Sequence, residues 1–129
     1  MMDTTWELLY QRALDAVRPH EVSAHIFVGS VGAAVLTKGG AVYTGICIDT
    51  SSSLGMCAER NALSTMLTQG EYEVAKVCAV YKDGSVMPPC GACREFMMQL
   101  GKGAADIEVL VNNEGKAVPL VKLMPEYPY

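Results

Sequence analysis

Three cysteines and one glutamate are the residues of this chain best suited to chemistry. Cys57 and Glu59 form a C-x-E sequence, and Cys90 and Cys93 form a C-x-x-C sequence that follows two prolines. Three thiolates can hold a zinc ion and leave one tetrahedral position for water. Glu59 follows the first thiolate by two residues, so we expect it to move protons beside that water rather than to bind the metal.

The charge of such a centre predicts roles for two arginines. Zinc with three thiolates carries a net negative charge, which makes the ion a weaker Lewis acid. Arg60 and Arg94 directly follow the two cysteine motifs. We expect one or both to donate hydrogen bonds to the sulfurs and to withdraw charge from the metal. The alternative for each arginine is an ordinary surface salt bridge.

The predicted helices explain how the cysteines come together. Residues 57 to 69 have helical periodicity, and a second helix follows Pro88 and Pro89 and ends at Gly101. Cys57 and the Cys90/Cys93 pair therefore lie at helix N-termini, where the helix dipole and free N–H groups favour thiolates. One C-x-x-C pair reaches a single metal from one helix start, and the third thiolate comes from the other helix.

The remaining pattern predicts an α/β protein. A helix that begins near Thr4 ends before Pro19, and another short helical segment closes the chain. Strand patterns cover five segments: 31–37, 41–48, 74–81, 107–111 and 116–118. The order α-β-β-α-β-α-β-β-α predicts a mixed five-stranded sheet between helices, in α-β-α layers. A turn of about four residues joins the last two strands, which must therefore be antiparallel.

Composition limits the partners and the compartment. The chain has 129 residues, of which half are hydrophobic, so we expect residues 1–129 to form one domain. The net charge is −4 and no basic run occurs, which argues against nucleic acid as a partner. No apolar run is long enough to span a membrane. An acidic, polar N-terminus and an odd count of five cysteines favour a reducing cytoplasm.

The two motifs resemble those of the cytidine deaminase family in its small, three-cysteine zinc form. Cys57-Ala58-Glu59-Arg60 and Pro89-Cys90-Gly91-Ala92-Cys93-Arg94 are similar to its signature blocks, and Val31-Gly32-Ala33-Ala34 to its first hairpin. The resemblance implies one Zn²⁺ on Cys57, Cys90 and Cys93, with Glu59 as the proton shuttle. It further implies deamination of cytidine or deoxycytidine in pyrimidine salvage, with release of ammonia. The implied assembly is a homotetramer, in which Tyr127 or Tyr129 closes a neighbour's pocket.

The implied substrate contacts depart from the family pattern. Where members of the family carry Asn-x-Glu to hold the ribose, this chain has Cys47-Ile48-Asp49. Asp49 can replace the glutamate, but the Cys47 thiol is only a weak hydrogen-bond donor. Ala58, inside the C-x-E motif, is also expected to contact the substrate. Phe27 is the aromatic residue nearest to the position that the family uses, which is Gly29 here.

Three alternatives follow from these observations. The first is a deaminase of a modified cytosine nucleoside, because blasticidin S deaminase shares the motif and the size. The second is a zinc-binding module without catalytic activity. The third is a thiol redox protein that uses Cys90 and Cys93, since a lone C-x-x-C also occurs in redox pairs.

Overall fold

The computed structural model describes residues 2–101 and 103–129 of the chain. Three α-helices are formed: α1 (Thr4–Ala16), α2 (Ala58–Thr68) and α3 (Gly91–Met98). The strands are β1 (His20–Glu21), β2 (Ile26–Thr37), β3 (Val42–Thr50), β4 (Val74–Tyr81), β5 (Glu108–Leu110) and β6 (Ala117–Pro119). Two 3₁₀ turns cover Ala104–Asp106 and Leu120–Leu123.

The strands form one mixed sheet with β2 near its centre. Strands β3 and β4 flank β2 in antiparallel fashion, β5 lies parallel to β4, and β6 lies antiparallel to β5. The predicted antiparallel arrangement of the last two strands is therefore confirmed. All five predicted strands are present, and β1 is a sixth that the sequence did not reveal, because two exposed residues carry no hydrophobic periodicity.

Helices cover both faces of the sheet, which confirms the α-β-α layers. Helix α1 packs on one face, and α2 and α3 pack on the other. The α1 side is built on buried Trp6, Leu9, Ala13, Ala34, Cys78, Val80 and Leu110. The opposite side is built on buried Val35, Leu63, Met66, Val77, Met97, Ile107, Val109 and Leu120. Alternating residues of β2 and β4 supply the two faces, as the period-two geometry of strands requires.

Strand β2 begins five residues before its predicted start at Val31, because a β-bulge interrupts the sequence pattern. The register with β3 shifts between Val28 and Gly32. Gly29 lies in the bulge at φ 88°, and a Cβ there would come within 2.1 Å of the Arg18 carbonyl oxygen. Only glycine fits this position, which explains why no aromatic residue stands there. The bulge also directs the Val31 N–H to Cys47 Sγ, 3.3 Å away.

The first helix has a different cap from the one that its sequence suggests. Thr4 and Glu7 have the spacing of a capping box, yet the N-cap residue is Asp3, whose carboxylate accepts the Trp6 N–H at 2.9 Å. Asparagine and aspartate are strong N-cap residues, and Asp3 precedes Thr4 in the chain. Among the described residues, no helix combines the length and the apolar character that a bilayer crossing requires.

Candidate metal centre and cleft

The three motif cysteines meet where α2 and α3 begin. Cys57 is the N-cap residue of α2, Cys90 is the N-cap residue of α3, and Cys93 lies in the first turn of α3. Their Sγ atoms all lie within 4.8 Å of one another, and those of Cys57 and Cys90 are 3.2 Å apart. The two helix starts therefore present three sulfurs to one point in space, as the sequence predicts.

Close packing of α2 against β3 fixes one half of this arrangement. A Cβ on Gly45 would lie 2.5 Å from the Ala62 nitrogen and 2.8 Å from the Ala58 carbonyl oxygen. The helix can approach the strand so closely only because residue 45 has no side chain. Asn61 adds a hydrogen bond from its amide to the Ile46 carbonyl at 3.0 Å. The position of Cys57 is thus set by backbone contact.

The donor set fits a zinc ion. Zn–S bonds of about 2.3 Å in tetrahedral geometry place the sulfurs about 3.8 Å apart, which agrees with a group that spans 3.2 to 4.8 Å. Three thiolates are soft ligands, and soft ligands favour zinc over magnesium or calcium. The group formed by Cys57, Cys90 and Cys93 is therefore suited to binding one zinc ion.

The electrostatics of the centre favour a bound cation. Burial and then the charges of Glu59 and the other two sulfurs raise the pKa of Cys93. Burial also raises the pKa of Cys57. At Cys90 burial acts in the same direction, but the backbone N–H of Cys93 and the Cys57 thiol outweigh it and lower the pKa. Crowded thiolates that repel one another are stabilised together when a dication binds between them.

Glu59 is the buried carboxyl group of the centre. Its side chain is 5% exposed, and its Oε1 lies 4.0 Å from Cys93 Sγ. Burial raises the pKa of Glu59, although its own backbone N–H and Arg60 act in the opposite direction. A carboxyl group with a raised pKa can both accept and return a proton near neutral pH, which a surface glutamate does poorly.

The two arginines of the motifs have different surroundings. Arg60 directs Nη2 towards Cys57 Sγ at 3.8 Å, and this thiol raises the pKa of the guanidinium. Arg94 donates from Nε to the Pro89 carbonyl at 2.7 Å and from Nη1 to the Leu123 carbonyl at 3.3 Å. The hydrogen bonds that the structure gives Arg94 thus go to backbone oxygens, whereas Arg60 contacts a sulfur as the sequence predicts.

A cleft of about 430 Å³ opens onto Cys57, Cys90 and Glu59. Its lining contains four residues that the sequence marks as substrate contacts or ligand neighbours, namely Cys47, Asp49, Ala58 and Arg60. Cys47 is buried and its sulfur accepts the Val31 N–H, whereas Asp49 is exposed. Ser52 and Ser53, in the polar loop between β3 and α2, also line the cleft.

Other lining residues lack a chemical signal in the sequence. They are Val31, Ile48, Thr50, Gly55, Met56, Met87 and Pro88. Val31 belongs to a strand pattern, and Met87 resembles a core methionine. Pro88 and Met56 could have been found from their position next to the two motifs, since a loop that enters a ligand-bearing helix also forms the wall of the site.

The predicted aromatic contacts lie away from the cleft of their own chain. Phe27 is 40% exposed and lines a smaller depression that also contains Asp49 and His25. Tyr127 hydrogen bonds to Glu95 at 3.1 Å, and its ring meets that of Tyr129 edge to face at 5.6 Å. His25 is exposed in the loop before β2, and its ring contacts the Ser51 hydroxyl at 3.1 Å.

Comparisons with known proteins agree with the fold and the centre. The family model described as "Cytidine and deoxycytidylate deaminase zinc-binding region" matches residues 4–108. The cytidine deaminase of Mycobacterium tuberculosis is 30% identical over 127 residues, which are 98% of this chain and 91% of that protein. The cytidine deaminase of Halalkalibacterium halodurans is 40% identical over 84 residues, which are 64% of this chain and 62% of that protein.

Solved structures give the same result. A cytidine deaminase from Burkholderia pseudomallei superposes with a TM-score of 0.75 at 30% identity, over 93% of this chain and 96% of that one. The enzyme from Mycobacterium tuberculosis gives 0.78 at 26% identity, over 98% and 99%. The fold and the three-cysteine centre are those of zinc-dependent hydrolytic deaminases. This chain belongs to the cytidine and deoxycytidylate deaminase zinc-binding family.

Proposed function

We propose that this protein hydrolyses the exocyclic amino group of cytidine or deoxycytidine, producing uridine or deoxyuridine and ammonia. The observation that carries the proposal is the buried Glu59 carboxyl group, which lies 4.0 Å from a sulfur of the three-cysteine centre and lines the cleft. A structural zinc site is closed and has no need of a buried acid beside it. The placement of Glu59 therefore favours a catalytic centre.

Glu59 carries the proton transfers of the reaction. Cys57, Cys90 and Cys93 would hold a zinc ion, which would supply the Lewis-acid chemistry that activates a water molecule near neutral pH. Glu59 accepts one proton from that water and delivers it to the ring nitrogen beside the reacting carbon of cytosine. It then takes the second proton of the former water from the hydroxyl group on that carbon and gives it to the departing amine, so that the C–N bond breaks, the C–O bond becomes the carbonyl, and ammonia is released. One carboxyl group acts as base and then as acid, for which its buried position is suited.

Arg60 offsets the negative charge of the centre. Its contact with Cys57 at 3.8 Å supports a role in withdrawing charge from the ligand sulfur. Arg94 acts differently, through the two carbonyl groups to which it donates.

A modified cytosine nucleoside is the second candidate substrate. Cys47 occupies the family's asparagine position, and its sulfur accepts a backbone N–H instead of donating to a sugar. Asp49, which is exposed, is then the remaining side chain of the Cys47–Asp49 segment that can accept a hydrogen bond from a sugar hydroxyl. This supports relaxed recognition of the sugar, including substrates such as blasticidin S.

We further propose a homotetramer, the assembly that the resemblance to the family implies. Tyr129 is 84% exposed and lies with Tyr127 on the surface of α3, where both are available to close the cleft of a neighbour. Phe27 is 40% exposed beside Asp49, where it is available to the substrate of an adjacent subunit. We place the protein in the cytoplasm, where free thiols remain reduced and nucleosides are salvaged.

A substrate panel tests the proposal. The zinc-loaded protein should release ammonia from both cytidine and deoxycytidine. For each substrate, the amount of ammonia should equal the amount of uridine or deoxyuridine formed, which ultraviolet absorbance measures. Turnover of blasticidin S alone would favour the modified nucleoside. No ammonia from any cytosine compound, with zinc bound, would contradict the proposal and favour a non-catalytic zinc module. Loss of zinc with formation of a Cys90–Cys93 disulfide would favour a redox protein.

A further inference from the structure

The segment that leads into Cys90 has few ways to hold its backbone. The Met87 N–H donates to the Ala79 carbonyl at 2.8 Å. Pro88 and Pro89 follow, and neither has an N–H group to donate. Cys90 is the N-cap residue of α3 without a side-chain cap and is the most exposed of the three ligands. The carbonyl of Pro89 is therefore an important point of attachment for this segment.

Arg94 holds that carbonyl. Its Nε donates to the Pro89 oxygen at 2.7 Å, across the first turn of α3. Pro89 is buried, and a buried carbonyl without a partner costs about 1–3 kcal/mol. The contact thus fixes the residue directly before the ligand Cys90.

The same guanidinium also reaches the C-terminal part of the chain. Nη1 of Arg94 donates to the Leu123 carbonyl at 3.3 Å, at the end of the 3₁₀ turn Leu120–Leu123. That turn is anchored because Leu120 is fully buried and its N–H donates to the Ile107 carbonyl at 2.8 Å. Arg94 therefore bridges an anchored element and the backbone that carries a ligand.

We propose that Arg94 is a positioning residue: it ties the backbone ahead of Cys90 to the C-terminal 3₁₀ turn, and zinc retention depends on this bridge. The inference rests on the proposed zinc centre. A planar guanidinium can serve two carbonyls from different nitrogens, whereas a lysine ammonium is a point charge on a flexible stem. The role is thus one of geometry, distinct from that of Arg60.

Zinc release measures the effect without reference to activity. Release from the zinc-loaded protein to a chromogenic chelator should be at least about tenfold faster in Arg94→Ala, as is typical when a group that orients a ligand is lost. Arg94→Lys, which keeps the charge, should also release zinc several-fold faster than wild type. Arg12→Ala, an exposed change on α1, is the matched control and should leave release unchanged.

Two results of this measurement would overturn the proposal. Release from Arg94→Ala at the wild-type rate would show that the bridge does not hold the ligand. A wild-type rate in Arg94→Lys would show that positive charge, and not the bridge, retains zinc. Failure of the cytidine assay with zinc retention still dependent on Arg94 would refute the proposed reaction alone. Deamination with zinc retention independent of Arg94 would refute this inference alone.

Hydrogen exchange provides a second readout, which begins with the unsubstituted protein. In the wild-type protein, amides of residues 120–127 should exchange faster after zinc removal. The backbone at Cys90 is then less ordered, so Arg94 holds the C-terminal turn less firmly. Amides of the α1 segment Leu9–Leu14 serve as the internal control and should not change. In Arg94→Lys the difference between zinc-loaded and zinc-free protein at residues 120–127 should disappear. Exchange there that is independent of zinc in the wild type would contradict the coupling.

Discussion

Glu59 Oε1 lies 4.0 Å from Cys93 Sγ, although the two residues are 34 positions apart and belong to different helices. The contact exists because α2 follows β3 and α3 follows β4, two strands that finish at the same end of the sheet. Each helix carries a ligand at its N-cap or in its first turn. It places the only buried carboxyl group found among the described residues beside the metal ligands. The proposed reaction depends on this relationship.

The contact between Arg60 and Cys57 predicts a loss of turnover. Arg60→Ala should lower kcat at least about tenfold, because the thiolates then keep charge that the guanidinium had offset and the metal becomes a weaker Lewis acid. Steady-state kinetics on zinc-loaded protein, with zinc content measured on the same sample, checks this. Arg12→Ala is the control for loss of a positive charge. An unchanged kcat in Arg60→Ala would show that Arg60 does not withdraw charge from the centre and would favour an ordinary surface salt bridge.

The Cys47 sulfur predicts how the sugar is recognised. Since this sulfur accepts the Val31 N–H, removal of sugar hydroxyls from cytidine should change kcat/KM only a few-fold in the wild type. Cys47→Asn introduces an amide donor and should increase the preference for hydroxylated sugars, read as a ratio of kcat/KM values. Cys47→Ala, which introduces no hydrogen-bond donor, should leave the ratio unchanged. Strong discrimination by the wild type would refute this view of the cleft.

Gly45 predicts the cost of separating α2 from β3. In Gly45→Ala, the new methyl group meets the Ala62 nitrogen at 2.5 Å and must displace helix backbone. The free energy of unfolding should fall by about 1–3 kcal/mol, as measured by urea denaturation of the zinc-free protein. Gly91→Ala is the matched control, because no atom lies within 4 Å of its added Cβ. Equal stability of the two variants would mean that α2 does not pack as described.

Cys78 predicts a loss of stability at alkaline pH. Burial, with a smaller contribution from the charge of Glu59, raises the pKa of this thiol from 9.0 to about 12. The unfolded chain therefore releases the proton first, so this stabilising contribution is complete below about pH 9 and declines as the pH rises towards 12. At about pH 10.5 the loss amounts to about 2 kcal/mol.

A comparison of Cys78→Ala with wild type isolates this effect. Between about pH 8 and about pH 10.5 the variant should lose about 2 kcal/mol less unfolding free energy than wild type, because alanine has no proton to lose. Urea denaturation at both values provides the measurement. The same pH-dependent loss in both proteins would show that another group is responsible.

The sequence revealed the parts of the molecule that repeat a simple pattern. Strand β4 matches its predicted bounds, 74–81, because its apolar residues are continuous and end at a turn. The three zinc ligands followed from two recognised motifs, C-x-E and C-x-x-C, which resemble the signature blocks of the cytidine deaminase family. The antiparallel last strands followed from the short turn between them.

Features that depend on contacts between distant residues could not be predicted from the sequence. The start of β2 at Ile26 depends on a bulge that brings Gly29 against Arg18, which no periodicity shows. The partners of Arg94 are backbone carbonyls from two distant segments, and a carbonyl has no signature in a sequence. The walls of the cleft outside the motifs are ordinary strand and loop residues, so only their arrangement makes them part of the site.

In the proposed reaction, Glu59 moves the protons of a deamination at a three-thiolate zinc centre. Turnover of cytidine by Glu59→Gln, with zinc measured in the same sample, tests this role. We expect about one zinc per chain, as in wild type, and a fall in kcat of at least about 10²-fold, the scale of general acid–base catalysis. A zinc-loaded Glu59→Gln variant that deaminates cytidine at the wild-type rate would contradict the claim.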